Sequence, residues 1–142
     1  MKRFKEYAII LTVGGIYYFL LEILWRGYSH WVMMMVGGAS ALLLYVINEK
    51  LRAVPFVLKC FLGAGIITVA ELLSGIVVNL WLGWDVWDYS ELRYNLLGQI
   101  SIKTSLLWLL LCVPAFALSD IVKQIFILKG EGSGKKIKKA ES

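Results

Sequence analysis

Histidine, cysteine and proline are nearly absent from this chain, with one, two and two copies in 142 residues. The lone His30 and the two cysteines, Cys60 and Cys112, have no Cys-x-x-Cys spacing, so they can build neither a Cys/His zinc site nor a disulfide framework. The cysteines read as free thiols buried in apolar surroundings. A Gly-rich phosphate loop is also lacking, which leaves any nucleotide hydrolysis to a separate subunit. No cofactor, metal site or catalytic constellation is expected. Charged residues make up only 18% of the chain, where a soluble domain carries about 25%.

Hydrophobic residues fill that gap. They reach 59%, and the mean hydropathy is +0.71. A membrane-spanning helix needs about 20 mostly apolar residues, and four segments qualify: 7–24, 31–47, 55–82 and 100–118. The spacing predicts an all-α, polytopic membrane protein with four transmembrane helices. Residues 1–128 form the transmembrane domain and 129–142 a basic, disordered cytoplasmic tail rich in Gly, Ser and Lys. Lys2, Arg3 and Lys5 precede the first apolar run as they would in a signal peptide. No small-residue cleavage site follows, so that run reads as a retained span.

Of the 15 basic residues, only Arg26, Arg93 and Lys103 fall on the side of the 25–31 and 83–99 loops. The positive-inside rule then places the N-terminus, the 48–54 loop and the C-terminus in the cytoplasm. The net charge of +5 follows from this topology and from the tail Lys135-Lys136-Ile137-Lys138-Lys139, which suits an anionic lipid surface. Nucleic acid is not an expected partner, because no folded basic face is present.

Against this apolar background two acids stand out, Glu22 in the first run and Glu71 in the third. A carboxylate at membrane depth costs about 2.5–3.5 kcal/mol on insertion scales, so it needs a partner or a task. Thr68, Glu71, Gly75 and Asn79 lie within about 80° of one another on a helix, a polar and small stripe that must face the bundle interior. Glu71 sits about 24 Å from Pro55 along the helix axis, at a height where Glu22 can meet it. Glu22 and Arg26 have the i,i+4 spacing of an ion pair, and His30 opens the next span. Glu22, Arg26, His30 and Glu71 are therefore expected to form one outward-facing network. It serves either to pin the helices or to hold an ion, a proton or a polar headgroup.

The 83–99 segment mixes tryptophans with acids. The helical spacing of Trp81, Trp84 and Trp87 suggests an interfacial or re-entrant segment between helices 3 and 4. Asp85, Asp88 and Glu91 recur every three residues but lack the turn glycine of a calcium loop, so anchoring is the expected role. Asn95 and Gln99 have the spacing to face the Glu71 cavity. Lys59 is expected to snorkel to the headgroups, and Asp120 to meet Lys123 or solvent. Gly14-Gly15, Gly37-Gly38, Gly63, Gly65 and Ser74-Gly75 mark close helix packing, either inside one protomer or in a homo-oligomer.

The residues Glu22, Arg26-Gly27-Tyr28-Ser29-His30-Trp31, Gly37-Gly38, Thr68, Glu71, Ser74-Gly75, Asn79, Gly83-Trp84, Val86-Trp87-Asp88-Tyr89-Ser90 and Asn95-Leu96-Leu97-Gly98-Gln99-Ile100 together resemble the ABC-transporter type IV permease family, or CmpB-like family. The resemblance covers most of residues 10–110. It implies a multi-pass protein of the bacterial cell membrane and, as partners, membrane lipid and a separate ATPase or other membrane subunit.

Two readings stay open. One is a transport or channel-type subunit with a polar site formed by Glu22, Arg26, His30, Glu71, Asn79, Asp85, Asp88, Asn95 and Gln99. The other is a non-transporting scaffold or partner-binding protein whose polar network is structural.

Overall fold

The computed structural model describes residues 2–140, with side chains described for 3–128. Four helices follow one another: α1 (Lys2–Arg26), α2 (Trp31–Lys50), α3 (Phe56–Gly75) and α4 (Ile102–Ala140). Within them, Arg3–Arg26, Trp31–Lys50, Phe56–Trp81 and Ile102–Leu128 are long and apolar enough to cross a membrane. This is the four-span protein that the apolar runs predict, with the fourth span longer than expected. The tail expected at 129–142 falls outside the described side chains.

Each helix is apolar on nearly all sides, and large residues such as Leu20, Phe61, Leu73 and Leu110 point outward. That distribution suits lipid. Where lipid surrounds the bundle, close packing holds it together in place of water exclusion. α1 packs chiefly on α2, and glycines set the approach. A Cβ at Gly15 would strike the Met34 carbonyl, and one at Gly38 would strike the Leu11 carbonyl. Gly15 and Gly38 thus serve packing within the chain, whereas a Cβ at Gly65 would meet nothing within 4 Å.

Leu44, Ile67, Trp108, Cys112 and Phe116 form the central core between α2, α3 and α4. Ile10, Tyr45 and Val122 close the end that carries the N-terminus, which we call the terminal end. Of the three consecutive methionines, Met33 is fully buried while Met34 and Met35 face outward.

The connection from α3 to α4 is the interfacial or re-entrant segment expected between the third and fourth spans. α3 continues as a six-residue π-helical turn, Ile76–Trp81, and then the helix stops. The helical spacing of Trp81, Trp84 and Trp87 does not extend that helix, and 83–94 is irregular. It is followed by a minimal antiparallel hairpin of β1 (Asn95–Leu96) and β2 (Ile100–Ser101). Gly83 at φ 65 and Asp85 at φ 47 turn the chain back toward the bundle, where Val86 and Trp87 pack on Val32 and Met33. The segment is a plug seated in the loop end of the bundle. Ser101 and Thr104 cap α4 reciprocally: the Thr104 amide donates to Ser101 Oγ at 3.2 Å, and the Ser101 amide donates to Thr104 Oγ1 at 3.0 Å.

Candidate functional site: a carboxyl cluster beneath a plug

Glu71 lies on the interior face of α3 and is 1% exposed. Its two oxygens have separate donors. Trp108 Nε1 on α4 donates to Oε2 at 2.9 Å, and the Tyr89 hydroxyl of the plug donates to Oε1 at 3.1 Å. One turn earlier, Thr68 Oγ1 donates to Ser105 Oγ at 3.1 Å. The polar stripe expected on α3 therefore faces inward along its length, as lipid requires.

Glu22, 8% exposed, is satisfied from its own end of α1. Arg26 Nη2 donates to Oε1 at 2.9 Å and the Ser29 hydroxyl to Oε2 at 2.7 Å. Among the described residues the two carboxyls share no hydrogen bond. Tyr18 on α1 stacks on Trp108, the donor to Glu71, with ring centroids 5.1 Å apart. The Tyr89 phenol is raised well above its ordinary range, first by burial and then by the negative charge of Glu71, while Arg26 pulls the other way. It stays a hydrogen-bond donor throughout the physiological range. Arg26 also lies 5.1 Å from the Tyr28 ring centroid, and its buried Nε has no hydrogen-bond partner among the described residues.

Asn79 anchors the plug. Its Nδ2 donates to the Trp87 carbonyl at 3.0 Å and to Gln99 Oε1 at 2.7 Å, and its Oδ1 accepts from the Val86 amide at 2.7 Å. Trp87 Nε1 donates to the Gln99 carbonyl at 3.1 Å. Gly75, on the same face of α3, makes room: a Cβ there would collide with the Gln99 side chain and crowd the Trp87 ring.

Several expected site residues lie elsewhere. His30 is not part of the carboxyl network. Its Nδ1 accepts from the Val32 amide at 3.2 Å as the N-cap of α2, and its ring sits among Trp31 and Trp84. Asn95 does not face Glu71. It ties the plug's own turns, donating to the carbonyls of Ser90 and Leu92 and accepting from the Gly98 amide. Gln99 belongs to the Asn79 latch. Asp85 is exposed, and Asp88 accepts from the Ser90 amide at 2.8 Å, which holds its carboxyl below the usual range. Among the described residues no group of His, Cys, Asp and Glu converges as a metal centre.

Tyr89, Trp108, Ser29 and Tyr18 are the site residues that the sequence reading passed over. The available signal was the need of each buried acid for donors.

At the terminal end, Lys59 does not snorkel outward. It is buried and donates to Asn48 Oδ1 at 2.8 Å, while Asn48 Nδ2 donates to Asp120 Oδ1 at 2.7 Å. Lys123 turns to Glu49 at 2.9 Å instead.

Four apolar spans around a buried polar cluster define a small polytopic helical membrane protein. Residues 10–132 match the family described as "Putative ABC-transporter type IV", and the chain belongs to that family. No curated protein and no solved structure is similar enough to match.

Proposed function

We propose that the chain is a transport-type subunit of the cell membrane. Its polar site is the Glu22, Arg26 and Glu71 cluster, and its movable part is the 83–101 plug. The hydrogen bond from Tyr89 to Glu71 carries this reading, because it ties the plug's position to a carboxyl held at membrane depth. The unpartnered Arg26 Nε supports it too. A buried donor left without an acceptor costs about 1–3 kcal/mol, and an oxygen of a bound solute or ion would meet it. By the positive-inside rule the termini lie in the cytoplasm and the plug faces outward. Four spans enclose little polar space, so a conduction path calls for a second copy or another membrane subunit. Nucleotide hydrolysis would belong to a separate ATPase.

A scaffold is the second reading, and one observation favours it. Both oxygens of Glu71 and of Glu22 already have donors, which is what a structural pin requires.

Reconstituted vesicles separate the two. The purified full chain is placed in vesicles holding pH- and cation-sensitive dyes, beside Glu71→Gln and protein-free controls. Transport predicts that wild type dissipates an imposed gradient and that the folded Glu71→Gln protein does not. Wild-type vesicles as tight as the protein-free ones, together with a Glu71→Gln chain that loses its helical signal, would establish the scaffold.

A further inference from the structure

Two cavities adjoin toward the terminal end, and the first extends up to Tyr18 and Trp108 beside the carboxyl cluster. One is an apolar slot of about 370 Å³ between α1, α2 and α4, with Val13, Gly14, Ala41, Pro114, Ala115 and Leu118 in its walls. The other is a polar cup of about 260 Å³ formed by Asn48, Glu49, Arg52, Lys59, Asp120 and Lys123. Ser119 lines both, so slot and cup adjoin at that residue.

The charges in the cup are unevenly committed. Glu49 is taken by Lys123 at 2.9 Å and by Arg3 at 3.6 Å. Asp120 accepts from Asn48. Lys59 is only 8% exposed and gives a single hydrogen bond, to Asn48. An ammonium has three donors, so two are left over. Arg52 forms no ion pair among the described residues. Asn48 is neutral, so Asp120 also has no paired cation among the described residues; Arg52 and Lys59 against Asp120 leave a net single positive charge in the cup, beside the apolar slot.

Water does not fill an apolar slot stably, and a soluble anion would leave it empty. An amphipathic anion fits both parts. We propose that one anionic phospholipid binds here, with its phosphate in the cup against Arg52 and Lys59 and one acyl chain in the slot. The lipid is then a bound ligand, seated by charge complementarity below and by shape above. A zwitterionic lipid offers the same chain without the net charge, and inorganic phosphate offers the charge without the chain. This inference is independent of whether the chain transports anything.

Native mass spectrometry of the full chain tests it, with protein released from micelles doped with dioleoyl phosphatidylglycerol, with dioleoyl phosphatidylcholine, or with inorganic phosphate. One phosphatidylglycerol should be retained per chain, in clear preference to phosphatidylcholine. Arg52→Gln and Lys59→Gln should each weaken retention about fivefold, as expected for loss of one basic residue at the lipid surface. Ala115→Phe, which narrows the slot, should weaken it with the cup untouched. Arg52 is exposed, so its variant keeps the test meaningful if Lys59→Gln misfolds. Equal retention of both lipids, unchanged retention in Arg52→Gln, or full displacement by inorganic phosphate would each overturn the proposal.

Discussion

The Tyr89 hydroxyl reaches Glu71 Oε1 at 3.1 Å, although the two residues belong to different parts of the chain, a plug and a spanning helix. A helix alone cannot satisfy a carboxyl at its own middle, because its backbone donors are already engaged. The donors must come from neighbouring elements, here the plug and Trp108 on α4.

Tyr89→Phe should leave one Glu71 oxygen unpaired at a cost of about 1–3 kcal/mol. The plug should loosen while the four spans hold. Hydrogen–deuterium exchange in detergent should show faster exchange in peptides covering 84–99, with protection of α2 and α3 unchanged. Equal exchange in both proteins would mean that the Tyr89 contact does not restrain the plug.

Asn79→Ala should act more strongly on the same segment. Asn79 serves the Val86 amide, the Trp87 carbonyl and Gln99 Oε1 together. Its removal costs about 1–3 kcal/mol for each group that finds no replacement. Exchange at 84–99 should exceed that of Tyr89→Phe. A variant indistinguishable from wild type would show that the latch is dispensable.

Much of this arrangement was legible in the sequence, and the limit of legibility has a physical cause. Periodicity and charge placed the four spans, the Glu22 and Arg26 pair, and the inward stripe of Thr68, Glu71, Gly75 and Asn79. These features depend on spacing along one helix, which sequence records directly. The partners of Glu71 and Asn79 do not. Tyr89, Trp108 and Gln99 lie 18, 37 and 20 positions away from them, and aromatic residues near a membrane interface are ordinary whatever their role. The helical spacing of the tryptophans marks a segment at or in the interface but not its path, because the turns at Gly83 and Asp85 are local backbone events that the spacing does not record. His30 misled for a related reason. Standing immediately before an apolar run, it has the position of an N-cap, and that reading competes with a place in the charge network.

Gly75→Ala provides a steric test of plug seating. The added methyl must displace the Gln99 side chain or the Trp87 ring, an overpacking cost of about 1–3 kcal/mol. Helix propensity alone would favour alanine over glycine. A lower thermal midpoint, measured by the far-UV signal in detergent, is therefore expected. A raised midpoint would mean that the plug sits elsewhere.

Asn48→Leu should be more damaging than Lys59→Met, although both remove the same hydrogen bond. Leucine leaves the Lys59 ammonium buried without an acceptor, and breaking a buried polar pair from one side costs about 3–5 kcal/mol. Methionine removes the charge along with the need for a partner. Thermal midpoints should rank wild type first, Lys59→Met close behind and Asn48→Leu lowest. The ranking applies in detergent free of phospholipid, and the reverse order there would mean that an acceptor other than Asn48 serves the Lys59 ammonium.

The turn at Asp88 should respond to acid. Its carboxylate accepts the Ser90 amide, and that bond lowers its pKa in the folded chain. A carboxyl with a depressed folded pKa contributes stability that is present above its unfolded value and is lost as pH falls through the folded value. The Ser90 amide should therefore exchange slowly near neutral pH, after correction for intrinsic rates, and lose protection on acidification below the ordinary aspartate range. Asp88→Asn keeps an acceptor oxygen without the ionisation, so its protection should be nearly independent of pH over that window. The same acid dependence in Asp88→Asn would assign the effect to another group.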